Sequence, residues 1–321
     1  MPLSTSAETL ETSQGLVAAL RSAQPPNTSQ SFRPAHAKGQ LLKGTFTPTP
    51  AAASLSSAPH FAQPSTPLTL RFSSSTGLPS IADTEPTANP RGLAIRFHLP
   101  SGADGKRRHT DIIAHSTRSF PTRTGAEFLE LLCALGAGGD GVPQFLAKHP
   151  ETVRFLEEPK PSPVSFATER YYGVNAYVFT DVQGRETSVR YRVEPAAGVE
   201  TLGQEELAGK SKTYLFDELA PRLEGAPVAF KLTAQVAAAD DVTDDATVLW
   251  PEDREIVELG EIKIEKALEA EESLVEQKGL IFDPVPRVEG VRASKDPLLD
   301  VRADVYLISG KQRRKAEVAK A

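Results

Sequence analysis

The sequence predicts an α+β protein built on one large antiparallel sheet, closed as a barrel or folded as a sandwich. Three observations lead there. From Phe32 onward, short segments of alternating apolar and polar residues recur between clusters of Pro, Gly and Ser, the pattern of half-buried strands joined by turns. Two of these segments, Asn175 to Thr180 and Thr187 to Val193, are linked through Asp181-Val182-Gln183-Gly184, a hairpin signal. Helical patches interrupt the series, and no stretch repeats at a fixed period.

Residues 1–30 are rich in Ser, Thr and Ala. They carry one helical patch, Glu8 to Ser22, that ends before Pro25-Pro26, and they read as an N-terminal arm laid on the body. Candidate strands follow at Thr45 to Thr47, Leu68 to Phe72, Leu93 to Phe97, the hairpin just named, Phe230 to Val236, and around Ile262 and Ile264. Helical patches lie at Gly125 to Leu135, Val142 to His149 and Leu202 to Leu219. The aspartates between Asp240 and Asp245 lack the alternate spacing and terminal Glu of a calcium loop, so the acidic region up to Glu276 reads as a solvated face.

The last stretch, Asp296 to Ala321, reads as an amphipathic helix with Leu298, Leu299, Val301, Val305 and Ile308 toward the core. At about 100° per residue, Arg302, Tyr306 and Arg313 fall within roughly a 40° arc of one face. One phenol is thus bracketed by two cations. A guanidinium one turn away favours the ionised form against a free pKa of about 10, and a phenolate is a hard anionic ligand for ferric iron. The plainer alternative is an amphipathic tyrosine on a surface helix.

Composition sets outer limits. The 321 residues allow about two average domains or one large domain on a barrel, with room for a sizeable core. A charged fraction of 24%, an apolar fraction of 39% and a net charge of −6 suit a globular protein and argue against a nucleic-acid surface. Cys133 is the single cysteine, which excludes an internal disulfide and cysteine-rich metal sites. The N-terminal region lacks a basic leader, and its longest apolar run, Leu16 to Leu20, is too short for a signal core or a membrane span. A cytoplasmic protein is expected.

Several motifs occur in a fixed order along the chain. Arg33-Pro34-Ala35-His36-Ala37-Lys38-Gly39 is followed by Gly44-Thr45-Phe46, Arg71-Phe72-Ser73, Ala82-Asp83-Thr84 and Pro90-Arg91-Gly92-Leu93-Ala94-Ile95-Arg96-Phe97, and finally by Arg302 with Tyr306 four residues on. That series resembles the haem catalase superfamily, as do Tyr172-Gly173 and Trp250-Pro251. Without a long N-terminal arm or anything beyond the tyrosine helix, the chain is similar to the short catalase-related peroxidases.

The resemblance implies a barrel core of the catalase type with surrounding helices, spanning residues 31–321, and haem b as cofactor. Tyr306 would be the proximal iron ligand, kept ionised by Arg302. His36 would act on the opposite face as acid and base, oriented by Ser73. Arg33, Arg71 and Arg313 would bind the haem propionates. Phe120 and Phe128 match aromatics that cover the distal side, and ordinary core packing is their alternative role.

Two departures stand out. In Asp111-Ile112-Ile113-Ala114-His115-Ser116-Thr117, His115 occupies the place of a distal asparagine; it either donates from a ring nitrogen or points away. Asn89 stands where large catalases carry an aspartate along the access channel, which favours bulkier hydroperoxides. The expectation is a peroxidase for hydrogen peroxide or organic hydroperoxides, with an external electron donor and some residual catalase activity. Alternatives are a fatty-acid hydroperoxide lyase or isomerase of the allene oxide synthase type, and a haem carrier or sensor. A monomer or homodimer is expected, and NADPH is left open because its binding residues are not matched one by one.

Overall fold

The computed structural model describes residues 2–102 and 105–318. Alternation along the strands decides the architecture. In β2 (Thr66–Ser73), Leu68, Leu70 and Phe72 face one way and Thr69, Arg71 and Ser73 the other; in β3 (Gly92–Leu99), Leu93, Ile95 and Phe97 share the apolar side. The same apolar side is continued by β1 (Gly39–Pro48) and β4 (Arg108–His115), then by β5 (Tyr171–Tyr172), β7 (Glu186–Pro195), β8 (Val228–Val236) and β9 (Ile256–Ala267). These eight strands pair antiparallel in the order β1-β2-β3-β4-β5-β7-β8-β9, and β9 returns to β1. The ring closes as a barrel and leaves no free edge. Two more strands, β6 (Tyr177–Thr180) and β10 (Val291–Ala293), extend from the flank of β7.

Inside, Phe46, Phe72, Phe97, Phe166, Phe179 and Phe230 are fully buried, with Phe72 stacked on Phe166 at 4.9 Å. The wall bends at a register shift beside Gly44, where an added Cβ would stand 2.1 Å from the Lys263 carbonyl oxygen, so only glycine fits.

Helices pack outside. They are α1 (Ala7–Ser22), α2 (Pro50–Leu55), α3 (Pro59–Ala62), α4 (Gly125–Ala137), α5 (Gly141–Lys148), α6 (Pro150–Glu157), α7 (Gln204–Ala208), α8 (Tyr214–Asp217), α9 (Leu219–Gly225), α10 (Ala270–Gly279) and α11 (Pro297–Lys315). α11 starts sharply because Asp296 caps the Leu298 N–H at 2.9 Å and Pro297 takes the first helical position; Arg313, Arg314 and Lys315 fill its last turn. α1 lies along α11: the Ser4 N–H donates to Asp304 Oδ1 at 2.9 Å, and Ser13 Oγ to the Val301 carbonyl at 3.4 Å.

The sequence reading missed β4, whose polar start Arg108-His109-Thr110 hides it. Its inward residues Thr110, Ile112 and Ala114 are buried and Ile113 and His115 less so, but a polar Thr110 inside and an apolar Ile113 outside erase the apolar/polar alternation in the sequence. The helical patch at 202–219 divides into α7 and α8, interrupted at Gly209. The acidic region is not uniformly solvated: it contains β9 and α10, and Asp241 is tied to Arg254 at 2.8 Å.

Candidate active site

Strand register assembles the first wall of the site. Gly39, Ser73, Gly92 and His115 stand side by side across β1 to β4 on the outer face of the barrel, and the next row brings Leu41, Arg71, Ala94 and Ile113 together. The glycines keep this floor flat. A Cβ at Gly39 would stand 2.4 Å from Arg71 Cζ; one at Gly92 would stand 2.5 Å from Ser73 Oγ and 2.9 Å from His36 Nδ1.

His36 precedes β1 in a left-handed conformation, φ +53°. Two bonds hold it there: the Ala37 N–H donates to the Thr76 carbonyl at 3.0 Å, and Arg71 Nη2 donates to the His36 carbonyl at 2.8 Å. Its Nδ1 lies 3.1 Å from Ser73 Oγ, so Nε2 is the ring nitrogen that Ser73 leaves open. Burial, followed by the positive charges of Arg71, Arg33, Arg302 and Arg91, holds the imidazole down at about 4, so it is neutral near pH 7.

His115 ends β4 on the far side of Gly92. Its Nδ1 lies 2.7 Å from Thr117 Oγ1 and 3.4 Å from the Thr117 backbone nitrogen. Burial, then Arg302 and His36, push it down to about 3.

The opposite side is α11. The Arg302 guanidinium carbon lies 5.9 Å from the Tyr306 ring centre. Arg302 Nη1 donates to Asn175 Oδ1, and Asn175 Nδ2 donates to Asp296 Oδ2 at 2.7 Å, so the capping aspartate of α11 indirectly steadies the guanidinium. Burial lowers Arg302, yet the phenols of Tyr306 and Tyr177 outweigh it and leave the group above its ordinary value.

Between the two sides lies a concentration of positive charge. Arg33 and Arg71 both donate to Gln277 Oε1, at 3.3 and 2.5 Å, while Arg33 and Arg313 both donate to the Leu280 carbonyl, at 3.2 and 2.7 Å. Among the described residues no carboxylate pairs with any of the three. Burial first, then the neighbouring guanidinium Arg313, lowers Arg71 to about 9; burial and then Arg33 lower Arg313 to about 8. Arg313 Nε is buried with no partner. Two buried guanidiniums and a half-buried one, none with a carboxylate partner, together with an orphaned donor call for an anion, and planar forks suit carboxylates. The residues therefore fit the propionate end of a haem, and the phenol of Tyr306 fits its iron. In a groove of about 940 Å³ elsewhere, two of the lining arginines are compensated: Arg96 is bidentate to Asp111 at 2.8 and 2.7 Å, and Arg287 pairs with Asp283.

Phe120 and Phe128 meet edge to face at 5.0 Å, and Phe120 packs with Val174, Ala246 and Leu298 near the start of α11. Asn89 is buried, donates to the Lys160 carbonyl at 3.0 Å and leaves Oδ1 unpartnered. Sequence reasoning did not find Gln277, Asn175 or Thr117. Gln277 adjoins a run of glutamates, and only the folded chain brings it to two guanidiniums.

The fold and this site define the class first: an antiparallel barrel of the catalase architecture with a polar cleft on its outer wall. Two catalase structures share the fold, catalase A from Saccharomyces cerevisiae (TM-score 0.77, 20% identity, 88% of this chain and 61% of that one) and a fungal catalase (TM-score 0.76, 21% identity, 88% and 59%). The Catalase family model matches residues 31–319, and the chain belongs to that family. A catalase-related peroxidase from Mycolicibacterium paratuberculosis is 35% identical over 290 residues, 88% of each chain, and one from Synechococcus elongatus is 29% identical over 87% of this chain and 82% of its own. Against Arabidopsis thaliana catalase-1, at 27% identity, the chain spans 60% of the relative's length.

Proposed function

We propose that this protein is a haem b peroxidase that reduces hydrogen peroxide or organic hydroperoxides to water or alcohol with two electrons from an external donor. As a member of the catalase family it is an oxidoreductase acting on peroxide. The observation that carries the finer reading is a trio of guanidiniums without carboxylate partners, Arg71 and Arg313 buried and Arg33 half-buried, with Arg313 on the phenol-bearing helix and Arg33 and Arg71 on the side of the two neutral imidazoles. The functional unit is residues 31–321, supported by the reach of the family match, with residues 1–30 as an arm over it.

Arg33, Arg71 and Arg313 would hold the propionates, and Tyr306, steadied by Arg302, would hold the iron. Haem supplies the redox-active iron that binds peroxide and takes up its oxidising equivalents. The chain's own work is positioning and proton movement. His36 is neutral near pH 7, so it can accept the proton of a peroxide O–H and return it to the departing oxygen. Ser73 Oγ fixes the ring by engaging Nδ1, which leaves Nε2 for that exchange. Phe120 and Phe128 would limit water above the site.

Mixing haem-loaded protein with hydrogen peroxide, and separately with an organic hydroperoxide, in a stopped-flow spectrometer tests the reading. A rapid change of the visible spectrum that is reversed by a phenolic donor is the expected outcome. A protein that stays colourless in the presence of haem, or whose spectrum ignores peroxide, overturns it. No described helix is long and apolar enough to cross a membrane.

A further inference from the structure

A neutral imidazole carries one ring proton, and whatever bonds to one nitrogen decides where that proton sits. At His115 one partner fixes the direction. The Thr117 backbone N–H can only donate, and it approaches Nδ1 at 3.4 Å; the Thr117 hydroxyl, which can donate or accept, lies 2.7 Å from the same nitrogen and 3.5 Å from the Ser119 carbonyl. The N–H requires a lone pair on Nδ1, and the hydroxyl can donate to that same lone pair, so the ring proton belongs on Nε2.

His36 is arranged the other way round. Its Nδ1 meets a serine hydroxyl, which can accept from an Nδ1–H, and a base needs the lone pair on Nε2. The two rings flank Gly92, whose missing side chain leaves the space between them open.

We propose that Thr117 locks His115 as an Nε2–H donor, so that His115 hydrogen-bonds the substrate oxygen while His36 handles the proton. This rests on the peroxidase reading above and deepens it. His115 is then a catalytic residue and Thr117 a positioning residue. The lock has a second effect: an Nε2 that carries hydrogen has no lone pair for iron, so a second imidazole in the cleft does not become a competing ligand.

Two measurements test it. A long-range proton–nitrogen correlation spectrum of protein labelled with nitrogen-15 histidine, assigned with His115→Gln, reads the tautomer without haem or turnover. The Nε2–H form is expected for His115; the Nδ1–H form overturns the proposal. Fluoride titration of the ferric, haem-loaded protein then reads the donor, because a bound anion is stabilised by a hydrogen bond from the protein. His115→Leu is expected to weaken fluoride binding roughly ten- to a hundred-fold, while His115→Gln, which keeps an N–H donor, stays within a few-fold of the parent. Thr117→Val is expected to weaken fluoride and add a low-spin component to the spectrum, and Thr117→Ser to restore the parent behaviour. Equal fluoride affinity in parent and His115→Leu, with peroxide reactivity intact, overturns this inference and leaves the peroxidase reading standing. A parent protein that takes up no haem overturns both.

Discussion

The two sides of strands β2, β3 and β4 share one backbone and carry opposite chemistry. Inward, Leu68, Leu70, Phe72, Leu93, Ile95 and Phe97 are almost wholly buried in the barrel. Outward, on the alternate positions, stand Arg71, Ser73, Gly92, Ala94 and His115. The difference teaches how such a site is held. A slip of one residue would turn every apolar side chain outward, so the packed interior fixes the register, and that register aligns Arg71 and Ser73 of β2 with His115 of β4 across the small residues of β3, polar groups that stabilise little themselves.

The largest expected effect comes from the helix facing that outer side. Tyr306→Phe is expected to lose haem, read as the loss of visible absorbance in protein whose circular dichroism is unchanged. If haem is retained with the parental spectrum, the axial assignment fails. Next, His36→Ala is expected to keep haem and slow peroxide cleavage roughly 10² to 10⁴-fold in stopped flow; normal turnover would defeat the acid-base role.

Two adjacent residues sharpen the contrast between the sides. Phe72→Ala, inward, is expected to cost about 3–5 kcal/mol in denaturant unfolding. Ser73→Ala, outward, is expected to leave the unfolding midpoint nearly in place while slowing the reaction with peroxide. Comparable destabilisation by both would erase the distinction.

Acid offers a further test. His36, His115 and His60 of α3 are lowered from 6.5 to about 4, about 3 and about 3, burial being the first cause in each. Unfolded histidines take up protons at about 6.5 and these do not, so stability is full above that pH and falls as the pH drops toward 4 and 3. Peroxide reactivity is expected to fail on the same side, as His36 gains its proton near pH 4. The smallest effect is expected at His60, 1% exposed among Phe46, Phe61 and Phe97, with Nδ1 unpartnered. His60→Phe removes that unpaired polar atom and is expected to raise stability at acid pH by about 1 kcal/mol. A steeper acid transition would contradict it.

Much of this was legible in the chain. Alternation at Leu68 to Phe72 and Leu93 to Phe97 shows one apolar face per strand, and the ordered motifs from Arg33 to Tyr306 point to the family. β4 was illegible because its inward face carries the polar Thr110 and its outer face the apolar Ile113, so residue type does not alternate although burial largely does. Gln277 and the Leu280 carbonyl were hidden for another reason: Gln277 receives Arg33 and Arg71 from 244 and 206 residues away in sequence, and Leu280 receives Arg33 from 247. Thr117 sits two residues from His115, yet only its orientation reveals which nitrogen it engages.

The seam between α1 and α11 bears on how the molecule is made. Ser13 and Val301, joined there, are 288 residues apart, and Tyr306 lies on the helix that follows every strand of the sheet. On the ribosome, the wall bearing His36 and Ser73 emerges long before the phenol that faces it. A nascent chain therefore has only half a berth for the cofactor, and loading must await the late docking of two remote helices, a slow step of high contact order.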